Sequence, residues 1–240
     1  NNVMDNNFSN YDEIVNMAAA SLNKNGVFML EDFISEDICD SISQKVINLL
    51  DNDIDKTITK EYKDYIVHAK DKNEGGHHND EQSKPIINIR GGNVKYDTNL
   101  CDIFNADLLF EESNELATNN FFKDVISKFE FADSKGRNTL NPTAYLNIYY
   151  TNSITDTRGW HRDAPMIKFF VYLTDVLTED DGPYCYVPES YKEPKETKIE
   201  NTNYDINNHI KFLAKKGTLI CSFQHGIHRG WPQSKGHKRV

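Results

Sequence analysis

The stretch that most constrains this chain is Arg158-Gly159-Trp160-His161-Arg162-Asp163, set just before the apolar run Met166-Ile167-Lys168-Phe169-Phe170-Val171-Tyr172-Leu173. An extended segment projects residues i and i+2 to the same face, so His161 and Asp163 present an imidazole and a carboxylate that one ion can share. The apolar run has strand composition, which places the pair at the entrance of a buried strand. An H-x-D triplet alone occurs in many proteins as a turn former or a satisfied polar pair. It gains meaning here from histidines and a basic residue near the far end of the chain.

Size and charge narrow the setting. A chain of 240 residues is long enough for one large domain with a full core, and 13 Phe, 12 Tyr and 2 Trp supply large core pieces despite a mean hydropathy of -0.67. A net charge of -10 argues against a nucleic-acid surface or an anionic membrane surface, since either calls for a basic face. Attraction to an anionic small molecule must then come from a few local cations. Cys39, Cys101, Cys185 and Cys221 form no C-x-x-C pair, so neither a zinc ribbon nor a disulfide framework is suggested, and reduced thiols in a cytoplasm are expected. No apolar run approaches the ~20 residues of a membrane helix, and the first residues lack a basic segment followed by an apolar one. The expectation is a soluble, cytoplasmic protein with no nucleic-acid or membrane partner.

Along the chain, Ile14, Val15, Ala18, Ala19 and Leu22 recur at helical spacing up to the stop Asn25-Gly26, and Val27 to Leu30 is a short strand. Ser35 caps a second helix through Ile38, Ile42, Val46 and Leu50. A charged stretch follows, with a short strand around Tyr62 to His68 and a loop carrying His77-His78, whose adjacent histidines are either solvated or ligands. Pro85 to Arg90 is strand-like. Ile103 to Phe110 and Glu115 to Phe129 have helical spacing. From Asn141-Pro142 onward short strands dominate: Thr143 to Tyr150, Ile167 to Thr174, Tyr184 to Val187 and Gly217 to Phe223, with a polar insertion or lid at 189 to 211. Helices followed by short strands predict an α+β chain with a mainly β core. The specific expectation is a β-sandwich or jelly roll (residues about 141–240) resting on N-terminal supporting helices (about 1–140), as one domain.

Two histidines and one carboxylate leave about three open positions on an octahedral ion, the arrangement that non-haem Fe(II) oxygenases use. The second histidine must come from a facing strand. His225 and His228 are the candidates, and His228 is preferred because Arg239 lies eleven residues beyond it, where a following strand can bring a guanidinium beside the metal.

The C-terminal part resembles the phytanoyl-CoA dioxygenase-like branch of the Fe(II)/2-oxoglutarate-dependent oxygenases. The matching pieces, in order, are Trp160-His161-Arg162-Asp163; Phe170 to Val176; Gly182-Pro183 followed by Val187-Pro188-Glu189-Ser190-Tyr191, where the family commonly has V-P-G-S-H; and Gly217 to Arg239. Glu189 and Tyr191 depart from that pattern. The resemblance implies a double-stranded β-helix, Fe(II), 2-oxoglutarate as co-substrate, and O2. It gives His161, Asp163 and His228 as the metal triad and Arg239 as the partner of the distal carboxylate of 2-oxoglutarate, a role that suits a planar, permanently charged fork. It suggests a hydrogen bond from Asn147 and an aromatic contact from Phe170 to the co-substrate.

The implied reaction is hydroxylation of an unactivated C–H bond in a small metabolite, with release of succinate and CO2. Related halogenases carry a small residue at the Asp163 position, so the carboxylate favours hydroxylation, with desaturation or cyclisation open. Arg158, Arg162 and Lys168 are the cations nearest the site and either face solvent or meet an anionic substrate. Tyr149 is either core or pocket, and Trp160 is expected to pack in the core. The competing class is a jelly-roll metal- or sugar-binding module or a cupin-like isomerase, which has no use for Arg239 at its distance from His228.

Overall fold

A computed structural model of the chain describes residues 10–51, 66–68, 85–90, 96–131, 146–152, 157–234 and 236–240. The loop histidines His77 and His78, Tyr145, the lead-in at 1–9 and the start of the strand expected from Tyr62 lie outside them.

The N-terminal elements form where spacing and caps dictate. Helix α1 spans Tyr11–Asn25 and buries Val15, Ala18, Ala19 and Leu22; it ends at Gly26 (φ 85°), whose N–H bonds to the Leu22 carbonyl. A Cβ at Gly26 would lie 2.4 Å from the Tyr186 hydroxyl, so this position needs glycine for space as well as for its backbone. Strand β1 is Val27–Leu30. Helix α2, Glu36–Leu50, starts at Ser35, whose hydroxyl accepts from Ile38 N.

Three antiparallel or mixed sheets follow. In the first, β9 (Leu219–Phe223) lies between β1 and β6 (Ile167–Val171), antiparallel to both. The second runs β2 (Ile66–His68), β3 (Ile86–Ile89), β4 (Leu100–Phe104), β5 (Ile148–Thr151), with only the β2–β3 pair parallel. Residues 239 and 240 stitch these two together: Arg239 exchanges backbone hydrogen bonds with Thr151 (2.8 and 3.0 Å), and Leu173 N donates to Val240 O (3.2 Å). The result is one wide sheet. Opposite its β1–β9–β6 part lies the third sheet, with β7 (Tyr184–Tyr186) between β10 (His228–Gly230) and β8 (Ile210–Lys211).

Period-two alternation separates the faces of the wide sheet. One face carries Ile87, Ile103, Ile148, Tyr150, Leu219, Cys221 and Phe223 and packs on Leu22, Phe33, Ile42 and Phe121 of the helical layer. The other carries Val27, Met29, Phe170, Tyr172 and Ile220, which meet Tyr184, Tyr186 and Phe212 of the opposing layer.

Two expected helices are corrected. Ile103 belongs to β4, whose inward Asp102 is fully buried and held by Arg90 and Asn88 from the β3 side, a cross-strand pairing invisible to local spacing. Asn105 then turns the chain at φ 55° into a single 3-10 turn. The helical pattern from Glu115 to Phe129 is two short helices, α3 (Glu111–Ala117) and α4 (Asn120–Ser127), because the Asn119 side chain accepts from Phe121 N and starts a new helix. The polar segment 189–211 holds three single 3-10 turns before β8.

Candidate metal centre

His161 lies just before β6 and His228 opens β10. The two residues are bonded directly across the gap, His161 N to His228 O at 3.1 Å and His228 N to His161 O at 3.0 Å. Opposed residues share a face, so the rings stand 4.4 Å apart, and Asp163 returns to that face two residues on, its N–H held by Gln224 O at 2.9 Å. The ligand atoms of His161, Asp163 and His228 all lie within 4.8 Å of one another, the one such cluster of metal-binding groups among the described residues.

The ring nitrogens are sorted by backbone carbonyls. His161 Nδ1 is 2.6 Å from Gly159 O and His228 Nδ1 is 2.8 Å from Gly226 O. A carbonyl only accepts, so each Nδ1 carries a proton and, in the neutral ring, each Nε2 offers a lone pair. Both Nε2 atoms face Asp163 Oδ2, His228 at 3.1 Å and His161 at 3.5 Å. Three electron-pair donors thus converge, and a shared cation satisfies all of them. Burial pushes the His228 imidazole below its usual range despite the neighbouring Asp163 carboxylate, which favours the neutral, ligating form. Without an ion, burial would raise the Asp163 carboxyl, but the hydrogen bonds and charge it meets when the His161 and His228 rings are protonated at Nε2 outweigh burial and hold it well below the carboxylate range. The donor set fits a divalent transition metal.

His225, the rival ligand, is turned away. Its Nε2 lies 3.1 Å from Glu193 O, and its ring packs against Phe131 and Phe223. Arg158 Nη1 donates to Asp163 Oδ1 at 3.0 Å, leaving Oδ2 to the imidazoles. Arg162, between the two ligands in sequence, points to the other side. Its Nη2 meets Glu193 Oε1 at 2.6 Å and its Nη1 donates to Ser190 O at 2.6 Å, so it anchors the 189–211 segment behind the centre. Trp160 is half-buried on the outer side of the third sheet, 4.9 Å from the His209 ring, with the Arg229 guanidinium 5.7 Å away, outside both core clusters.

The remaining expected residues are spread along the inner face. Phe170 meets Tyr184 edge-on at 4.7 Å, and the Tyr184 ring lies 5.9 Å from that of His228. Arg239 lies 5.2 Å over the Tyr172 ring and donates to Gly182 O, while Tyr184 N donates to the Tyr172 hydroxyl at 3.0 Å. Asn147 accepts from Asn105 N at 3.3 Å. Lys168 and Tyr149 are exposed, the ammonium 5.5 Å from the ring centre.

Two residues not anticipated from sequence join them. Tyr184 shares hydrogen bonds with Ser222 (2.6 Å) and Gln224 (3.1 Å) beside His228. Thr151 has a buried hydroxyl with no partner among the described residues, on the backbone pair it forms with Arg239. Their signal was present as period-two spacing: Thr151 is two residues from Tyr149, and Tyr184 is two from Tyr186.

A backbone bridge that converges two Nε2 atoms and one carboxylate on a single point gives a 2-His-1-carboxylate arrangement that could hold one metal ion. Comparison gives the family: the chain belongs to the phytanoyl-CoA dioxygenase (PhyH) family, whose profile matches residues 22–236. No curated protein sequence matches it. Among solved structures it is similar to the non-heme alpha ketoglutarate dependent epimerase SnoN from nogalamycin biosynthesis (12% identity, 95% of this chain and 78% of that one, TM-score 0.59). It is also similar to the carbocyclase SnoK from the same biosynthesis (12%, 95% and 82%, 0.58). EctD from S. alaskensis with 2-oxoglutarate and 5-hydroxyectoine matches at 16% identity, covering 92% and 71%, with TM-score 0.53.

Proposed function

We propose that this protein is an Fe(II)- and 2-oxoglutarate-dependent dioxygenase that hydroxylates an unactivated C–H bond of a small metabolite. In this reading the facing sheets form a double-stranded β-helix that works as one oxygenase domain. The observation that carries it is the pair of imidazoles whose Nδ1 atoms are tied to Gly159 O and Gly226 O, so that both Nε2 atoms and Asp163 Oδ2 converge.

His161, Asp163 and His228 would hold the iron, leaving the remaining positions of an octahedral ion for co-substrate and O2. Bound Fe(II) supplies the oxidative decarboxylation of 2-oxoglutarate to succinate and CO2, coupled to oxidation of the C–H bond. Arg158 restrains Asp163 through Oδ1 and so fixes which oxygen faces the ion. Arg239 and the unpartnered Thr151 hydroxyl, adjacent across one backbone pair, fit a carboxylate that needs one fixed cation and one further donor. Phe170 and Tyr184 bring aromatic rings beside His228, and the Tyr172 ring lies under the Arg239 guanidinium. With Asp163 as a ligand, no room would be left for a halide on a bound iron, which favours hydroxylation. SnoN and SnoK are an epimerase and a carbocyclase, so the outcome at the C–H bond depends on the substrate's placement.

With Fe(II) and ascorbate, the purified protein is expected to convert 2-oxoglutarate to succinate even without a prime substrate. Arg239→Ala is expected to raise the KM for 2-oxoglutarate about tenfold or more while metal loading persists. An iron-loaded protein with no turnover sinks the oxygenase reading, and an unchanged KM sinks the role of Arg239.

A further inference from the structure

The inner face of the wide sheet continues past the metal centre as a polar surface. In register, Asn88 opposes Asp102, Asp102 opposes Tyr149, and Thr151 opposes Arg239. Opposed residues share a face, so Asn88, Asp102, Tyr149 and Arg239 lie on one side, with Tyr172 beneath the Arg239 guanidinium. Lys168 opposes Ser222 and stands two residues from Phe170, on that same side. The Ser222 hydroxyl is bonded to Tyr184, whose ring adjoins His228, so Lys168 borders the polar cluster beside the metal ligands.

The cations around this face differ in what they already hold. Arg90 gives Nε and Nη2 to the buried Asp102 (2.8 and 3.0 Å) and reaches Asp97 with Nη1 (3.4 Å). Arg158 is on Asp163, and Arg162 is sealed behind the centre with Glu193. Arg239 donates to Gly182 O over the Tyr172 ring and is the cation the co-substrate requires. Lys168 is exposed, pairs with no carboxylate among the described residues, and holds its ammonium 5.5 Å from the Tyr149 ring centre, with Tyr149 itself 37% exposed. One cation beside an aromatic ring suits a group of single negative charge. A phosphate dianion would need a second cation, and the nearest ones are already neutralised by Asp97, Asp102 and Asp163.

We propose that Lys168, with Tyr149 beside it, receives the carboxylate of an acidic small-molecule prime substrate, which makes the substrate class an organic acid. This rests on the oxygenase reading above. Lys168 thereby sets specificity: it orients the acid so that its apolar part runs toward Phe170 and Tyr184, next to the metal ligands.

The test uses the Fe(II)-loaded wild-type chain, Lys168→Met and Lys168→Arg, with succinate formation as the readout. Phenylacetate and its neutral counterpart phenylacetamide are the probes, titrated at fixed 2-oxoglutarate. Phenylacetate is expected to alter turnover in the wild type and in Lys168→Arg, with the half-effect concentration raised about tenfold in Lys168→Met, as loss of a charged hydrogen bond implies. Phenylacetamide is expected to show no dependence on residue 168. The KM for 2-oxoglutarate is measured in parallel to separate the two sources of carboxylate, and it is expected to move less than the phenylacetate value. A larger shift in the KM for 2-oxoglutarate assigns Lys168 to the co-substrate and overturns the inference. Equal effects of acid and amide, or of wild type and Lys168→Met, overturn it as well. A wild type that consumes no 2-oxoglutarate overturns the oxygenase reading and this inference with it, whereas normal wild-type turnover with unaltered Lys168→Met overturns this inference alone.

Discussion

Replacing Arg162 with Met tests how the segment behind the candidate metal centre is held. The Arg162 and Glu193 side chains are only 3% and 9% exposed and meet at 2.6 Å, and Arg162 also donates to Ser190 O and His225 O. Deleting one partner of a buried pair costs about 3–5 kcal/mol, because the other charge is left without compensation. Glu193 keeps the Thr202 hydroxyl and Asn203 N (2.9 Å) as donors, so the lower end, about 3 kcal/mol, is expected. With a urea dependence of about 3 kcal/mol/M, the unfolding midpoint of the metal-free protein falls by about 1 M. Adding Glu193→Gln removes the stranded charge and recovers part of that loss, giving a coupling above about 1.5 kcal/mol in the double-mutant cycle. A midpoint shift below about 0.3 M, or strictly additive substitutions, would refute the idea that this ion pair anchors residues 189–211.

Two further outcomes follow from particular residues. Glu189 occupies the left-handed region at φ 67°, which favours glycine, and its pair with Lys192 is solvent-exposed, so Glu189→Gly is expected to raise the Tm by about 1–3 °C; a lower Tm contradicts the strain argument. Burial, together with the Arg162 charge, pushes the His225 imidazole below its ordinary range. The unfolded chain therefore binds the His225 proton more readily, and that part of the stability is complete above about pH 6.5 and lost as the pH falls below it. In chelator, the urea midpoint is expected to drop from pH 7.5 to 5.5 less steeply in His225→Asn than in wild type; equal slopes would refute the assignment.

Local rules made much of the chain legible. Ser35 and Gly26 mark helix ends by their own chemistry, and apolar spacing in α1, α2, β1, β6 and β9 is carried by neighbours within a few residues. The spacing of His161 and Asp163 places both on one face for the same reason. Where local spacing failed, a distant partner decided: Asp102 sits in a strand because Arg90 and Asn88 satisfy it there. Asn119 divided a continuous helical pattern because a side-chain cap competes with the backbone.

Sequence alone also left three cations, Arg158, Arg162 and Lys168, of unassigned role around the centre, because charge and position along the chain do not tell which carboxylate a long side chain reaches. Tertiary structure turned Arg162 inward to Glu193, set Arg158 on Asp163, closed Arg90 on Asp102 and left Lys168 exposed beside Tyr149 on the inner face. It likewise separated His228 from His225, three residues apart, by pairing His228 with His161 across two strands and sending His225 to Glu193 O. The ligand types and their spacing are properties of the linear chain, since strand periodicity is local. The choice among chemically equal side chains is made only when strands from distant parts of the chain come into register.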